Sequence, residues 1–478
     1  MNAVCLYFKI HQPFRLKRYR FFDIGNDHYY YDDFSNDEII TKIAQRSYLP
    51  ANELLLQMIN DSGRKFKCAF SISGTAIEQL QQYVPEFIDS MRKLVDTGCV
   101  EFLSETYDHS LASIANEEEF RRQVEQHDKL IYELFGIKPK VFCNTEFIFN
   151  DEIASTINSM GFKAVLTEGA RHILGWKSPN YVYTSAGAPK MKMLLRNAKL
   201  SEDIAKRFAD SSWHEYPLTA DKYVSWIAQS PKEEQITNIF LNYEVLGDSN
   251  PRETGIFDFF RAIPRFAAEN GIEFWTPSEA VSKLKPVDII SITHLISGAD
   301  EARDTSAWLG NQLQNEAFNK LYSVSERVHL CSDKRLLQDW NYLQSSDHFF
   351  YMSTKHFGDG AVHAMFSPYE SPYQAFTNYM NVLADFIVRV EEQFPLTIEN
   401  EELNALLTTI KNQESEIEML NKELRALKAA KIDAEVNEAA LKEKKSATKK
   451  TAAKKAPAKK APAKKAPAKK AATKKDAK

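Results

Sequence analysis

The sequence predicts an α/β fold built on a parallel sheet, either closed as a barrel or doubly wound. Three observations carry that prediction. From Met1 to about Lys285, short apolar runs alternate with amphipathic segments, and strand, helix, strand in repetition marks a parallel sheet. Nearly every strand candidate is followed at once by polar side chains suited to chemistry, as expected where strand ends converge on one site. No GxGxxG follows the first strand, which disfavours a dinucleotide-binding version.

Taken in order, the strand candidates are Val4–Ile10, Phe66–Ile72, Val100–Leu103, Val141–Cys143, Ala164–Thr167, Met193–Leu195, Ile239–Leu241 and Phe274–Trp275. Between them lie segments such as NELLLQMI (52–59) and EEFRRQVEQHDKLIYELFG (118–136), the latter closing on a glycine that reads as a C-cap. The first strand runs into His11-Gln12-Pro13 and the third into Glu105, Asp108 and His109. Asn144, Thr145 and Glu146 follow the fourth, Glu168 the fifth, and Asn242 and Glu244 the seventh. Any one of these could be polar merely because loops meet water; the set points to chemistry. On a strand, positions 242 and 244 share a face, which turns Glu244 toward the same cleft as Asn242.

Residues 306–394 then turn helical in three long amphipathic segments, predicting a helical bundle against the sheet domain. The composition changes set limits of 1–290 for the sheet domain, 291–397 for the helical domain, 398–441 for a coiled coil and 442–478 for a tail. Leu403, Ile410, Ile417 and Leu424 recur every seven residues, with Leu406, Leu420 and Leu427 three places behind three of them. This reads as a short coiled coil over 403–427 and hence a homo-oligomerisation element; a lone amphipathic helix is the alternative. The tail repeats KKAPA, carries no core-forming residue and should be disordered. Its spaced lysine pairs suit nucleic acid or another polyanion, without sequence preference. A solubilising or membrane-surface tail is the plainer reading.

Residues 444–478 hold 15 lysines against one aspartate, so the total charge of −4 hides an acidic body of about −18. The five cysteines (5, 68, 99, 143, 331) are scattered and never in CxxC spacing, against a disulfide framework or zinc cluster and for a reducing compartment. The N-terminus has no basic stretch leading into an apolar one, and no run of 18 apolar residues occurs. A cytoplasmic protein without a transmembrane segment is expected.

The motifs together resemble a known family. HQP after the first strand, GCVEFLSETYDHS after the third, CNTEFIF at the fourth and FLNYEVLGD at the seventh resemble, in order and spacing, those of glycoside hydrolase family 57. LTEGARHILGWKSPNY (166–181), TPSEAV (276–281), AWLGNQLQNEAF (307–318) and LQSSDHFFYM (343–352) are similar to its bacterial α-amylase-like branch. The likeness covers residues 1 to about 395. It implies an incomplete (β/α)7 TIM-like barrel with a helical domain, acting on α-1,4-glucans such as glycogen, starch or maltodextrins by a retaining mechanism. On this resemblance Glu146 is the nucleophile, Asn242 occupies the seat of the acid/base aspartate, and Glu244 supports it. His11, Gln12, His109, Trp213, Asp347 and His348 would be substrate-binding residues. No cofactor and no metal are implied; a metal-dependent polysaccharide deacetylase is disfavoured because the first strand ends in HQP, not an aspartate pair.

An asparagine in that seat alters the chemistry. Its amide donates a hydrogen bond but no proton, and loss of general acid/base help costs about 10²–10⁴ in rate. Asp248, beyond a glycine turn, could substitute only if its loop folds back. One reading is an enzyme of the α-amylase or 4-α-glucanotransferase type with impaired proton transfer. The other is a catalytically inactive glycogen-binding paralogue acting as a scaffold. A polyanion-binding protein explains only the tail.

Overall fold

The computed structural model describes residues 3–355 and 367–393, with scattered positions between 409 and 420. Among the described residues lie ten strands: β1 (Ala3–Ile10), β2 (Cys68–Ile72), β3 (Val100–Phe102), β4 (Val141–Cys143), β5 (Ala164–Glu168), β6 (Tyr183–Ser185), β7 (Ala188–Arg196), β8 (Ile236–Asn242), β9 (Glu273–Phe274) and β10 (Asp288–Ile290). Seven run parallel around a barrel in the order β8-β1-β2-β3-β4-β5-β7. Two joints are thin. β3 meets β4 at the bridge Ser104–Phe142, and β7 meets β8 at the pair Arg196–Asn238. This is the incomplete TIM-like barrel that the family resemblance implies, and it decides between the closed and doubly wound forms.

Every residue of β1 is buried, and its side chains alternate between two apolar environments. Ala3, Cys5 and Tyr7 enter the barrel lumen with Ala69, Leu103, Val141, Leu166, Leu194 and Phe240. Val4, Leu6, Phe8 and Ile10 face outward onto helices Asp33–Ile43, Leu49–Asp61 and Ile256–Glu269. Burial on both faces explains why these strands read as continuous apolar runs. The helix Glu117–Phe135 starts where the Asn116 side chain accepts from the backbone of Glu118 and Glu119, and ends at Gly136 with φ 68°, the expected C-cap.

Two strands escape the sequence. β6 and β10 are three residues each, carry polar positions, and lie beside the ring rather than in it: β6 pairs antiparallel with β7, and β10 parallel with β6. For the same reason β7 starts earlier than its apolar core Met193–Leu195, because its first half, Ala188–Lys192, includes exposed Pro189 and Lys190. β9 pairs only with Ala3 and Val4, at the start of β1.

Helices Gln312–Tyr322, Lys334–Leu343 and Pro372–Gln393 cover the other side of the barrel. The first two expected segments are broken, near Gly310 and at Gln344-Ser345, leaving short helices Ser306–Leu309 and Ser346–Phe350. Trp308, Trp340, Tyr379 and Phe386 share one apolar core with Phe142 of β4, Val165 of β5 and Tyr183 of β6. Residues 1–395 form one compact unit. The heptad segment lies almost wholly outside the described residues; Ile410, Ile417 and Leu420 are helical, the last two exposed. The tail 442–478 lies outside them too. No helix among the described residues is long and apolar enough to cross a membrane.

Candidate active site

Continuing the inward alternation by one step at the C-terminal end of each strand replaces apolar side chains with polar ones. Lys9 on β1, Ser71 on β2, Cys143 on β4, Arg196 on β7 and Asn242 on β8 all line one cavity of about 350 Å³. Glu105, beyond β3, and Glu168, ending β5, belong to the same layer by that alternation. Buried charges must be paired, and these are. Lys9 binds Glu105, which also accepts from Ser71 Oγ at 2.6 Å; Arg196 Nη1 donates to Glu168 Oε2 at 2.9 Å. Burial opposes ionisation of Glu105, but Lys9 and His109 outweigh it and hold the carboxyl well below its usual range.

Glu146 enters this cavity from the tight turn after β4. Its backbone is left-handed (φ 50°, ψ 29°), and Phe147 follows at φ 59°. Non-glycine residues hold this conformation only where the surroundings enforce it, at about 1–3 kcal/mol each. The enforcers are visible: Asn144 Nδ2 donates to Ile148 O at 2.8 Å, Gly298 N to Glu146 O at 2.8 Å, and Thr167 Oγ1 to Phe147 O at 3.2 Å. His109, itself at φ 52°, sets Nε2 3.1 Å from Glu146 Oε1 and Nδ1 3.7 Å from Glu105 Oε2. The cavity thus holds a partly buried carboxylate steadied by an imidazole, above a neutralised charge layer. Among the described residues, the Asn242 amide in the same wall has no hydrogen-bond partner. The second carboxylate of the lining, Glu202, is opposed by burial but bound by Arg303 Nη2 at 2.7 Å, which lowers its pKa and keeps it ionised.

The model of glycosyl hydrolase family 57 matches residues 5–293, well over half of the chain. The chain belongs to glycosyl hydrolase family 57. A Methanocaldococcus jannaschii protein, provisionally named an alpha-amylase, is 41% identical over 399 residues, covering 80% of this chain and 84% of that protein. Among solved structures, the 4-alpha-glucanotransferase from Thermococcus litoralis superposes with a TM-score of 0.60 at 15% identity, over 82% of this chain. This chain spans 60% of that enzyme's length. A family 57 branching enzyme from Thermococcus kodakaraensis gives 0.58 at 13% identity, over 84% of this chain and 94% of its own. At such identities the structures speak for the fold.

The residues carried over from the family 57 motifs fall at different depths. Glu146, Asn242 and His109 line the cavity. His11 does not: it is buried behind His109, ring centroids 4.0 Å apart, with Nδ1 2.7 Å from Ser73 Oγ and Nε2 2.7 Å from Asp347 Oδ2. A neutral ring protonated on Nε2 satisfies both contacts. Burial, with His109 adding to it, lowers its pKa to about 3 against the opposing pull of Asp347. Gln12 is equally buried, accepting from Arg15 Nη2 at 2.7 Å and reaching Glu244 Oε1 at 3.4 Å.

Glu244, Trp213 and His348, like His11, Gln12 and Asp347, lie outside the cavity lining. β8 ends at Asn242 and Tyr243–Val245 form a 3-10 turn, so the two-residue alternation never reaches Glu244. Glu244 is buried instead, accepting from Tyr48 OH at 2.5 Å. Trp213 does not line the cavity; it packs against Trp226 (6.1 Å) with Arg207 over its ring. His348 belongs to the helical side, Nε2 3.1 Å from Tyr342 O and its ring 5.5 Å from Tyr379, with burial lowering its pKa to about 4. Conversely, Lys9, Arg196 and Gly298 were missed. A signal for Lys9 existed: one charge inside the apolar run AVCLYFKI. Gly298 gave none, because its role is space. An added Cβ there would lie 2.5 Å from the Phe147 ring.

Proposed function

We propose that this chain acts on α-glucans through the cavity at the C-terminal end of the barrel, with Glu146 as nucleophile and Asn242 in the acid/base seat of a retaining mechanism. The observation that carries the reading is that Glu146 and Asn242 line one cavity from β4 and β8. The names of the relatives, an alpha-amylase, a 4-alpha-glucanotransferase and a branching enzyme, support the substrate class. In the first step the Glu146 carboxylate attacks the anomeric carbon while the leaving oxygen departs with a proton. Asn242 can only hydrogen-bond that oxygen. Bond cleavage therefore suffers by about 10²–10⁴ for poor leaving groups. A substrate whose leaving group departs as a stable anion bypasses this need.

Incubation with an aryl α-maltoside is therefore expected to release one equivalent of phenolate and leave a glycosyl ester on Glu146, visible as a mass increment on its peptide. Release without that ester, or an unchanged burst in Glu146→Gln, would sink the nucleophile assignment. Asn242 equally favours a second reading, a catalytically silent glycogen-binding scaffold. That reading holds if glycogen binds while neither wild type nor Asn242→Asp turns over maltooligosaccharides. A cytoplasmic location fits the scattered thiols, all five of them buried. Homo-oligomerisation through 403–427 rests on the heptad spacing alone; light scattering on a chain ending at residue 398 tests it, a lighter species than the full-length oligomer being expected.

A further inference from the structure

At the opposite end of the barrel lies a second recess, of about 750 Å³. Strand direction fixes its location. The candidate active site sits beyond the last residues of β1 and β8, whereas this recess is walled by Lys67, just before β2, and by β9, which pairs with the first residues of β1. Its floor is apolar, with Phe66, Ile272, Phe274 and Trp275 buried. Its rim carries six cations, Arg64, Lys65, Lys67, Arg261, Arg265 and Lys283, against two acids, Asp61 and Glu273.

This sign is unexpected on a body that is strongly acidic before its lysine tail. Some of the rim is internally balanced: Lys67 pairs with Glu279, Arg261 with Asp258, and Arg265 Nε lies 3.9 Å from Glu269. Glu273 is turned to the indole, accepting from Trp275 Nε1 at 2.8 Å. Lys283 lies 4.1 Å above the Trp275 ring and makes no ion pair among the described residues. Arg64 and Lys65 likewise have no ion pair among the described residues; they stand on a turn where both Gly63 and Arg64 are left-handed (φ 62° each). Cations without an acidic partner, gathered on an otherwise acidic protein, create a local positive potential that attracts anions. A recess of this volume suits a small molecule better than a flat polymer.

We infer that the basal recess binds a small phosphorylated molecule, its phosphate held by Arg64, Lys65 and Lys283 and its organic part resting on the apolar floor. The test is isothermal titration of the full-length protein with ATP, glucose 1-phosphate and glucose. The lysine tail also attracts phosphates, so the decisive comparison is with Arg64→Glu/Lys65→Glu and, separately, with Ala268→Trp, which fills the recess without changing its charge. Both keep the tail, and both alter exposed residues, so unchanged thermal melts are the folding control. At least one phosphorylated probe should bind with an affinity that falls by about tenfold or more in each variant, while unphosphorylated glucose shows no heat that the variants remove. Absence of phosphate binding, affinity unchanged in either variant, or a loss seen only with a single-stranded oligonucleotide would each overturn the assignment.

Discussion

Lys9 and Glu105 show what the site asks of single residues. Each is buried, and each would be unsupportable alone. Lys9→Met strands the Glu105 carboxylate and should cost about 3–5 kcal/mol in denaturant unfolding; a loss below about 1 kcal/mol would mean Ser71 and His109 suffice without it. His11 makes a pH-dependent counterpart. Its folded pKa, about 3, lies below the ordinary 6.5, so between those values the unfolded chain binds the extra proton. The stability it contributes is therefore full above pH 6.5 and lost as pH falls toward 3. The gap in stability between wild type and His11→Gln should shrink by about 2 kcal/mol from pH 7 to pH 4.5. A gap that widens on acidification would mean His11 is cationic, paired with Asp347.

At the scale of elements, the barrel strands were legible because burial on both faces forces apolar runs. β6 and β10 were not, since short strands beside the ring need no such run. The cavity lining was legible where it follows strand ends, as at Glu146 and Asn242, and illegible at residues farther from them. The 3-10 turn at Tyr243–Val245 turned Glu244 inward, and Trp213 and His348 were carried over on motif alone. The turn holding Glu146 depends on Gly298, whose amide donates to Glu146 O and whose missing Cβ makes room for Phe147. Gly298→Ala should destabilise the fold by about 1–3 kcal/mol through overpacking and weaken glucan binding more than an exposed control such as Gly271→Ala. Equal glucan affinity in Gly298→Ala and wild type would separate that turn from the cleft. Trp340, fully buried at the centre of the helical side, should cost about 3–5 kcal/mol when cut to Ala, because barrel and helices share its core.

Over the whole molecule, charge and polarity are sorted by position. The barrel lumen is apolar below and ionic above, the recess at its base is basic, and the acidic body precedes a lysine-rich tail. Composition alone revealed the tail; the basal recess was hidden, because its cations come from three separated stretches, 64–67, 261–265 and 283. Deleting 444–478 should remove most salt-sensitive binding to DNA or RNA in a low-salt gel shift, and identical shifts for full-length and truncated protein would contradict that. The proposed chemistry rests on Glu146 and Asn242 sharing the cleft. Its most direct test is the rate of maltooligosaccharide hydrolysis by wild type, Asn242→Asp, and Asn242→Asp combined with Glu146→Gln. Restoring the carboxyl should raise the rate by about 10²–10⁴, and Glu146→Gln should abolish the gain; a wild type as fast as Asn242→Asp, or a double variant that keeps its activity, would contradict it.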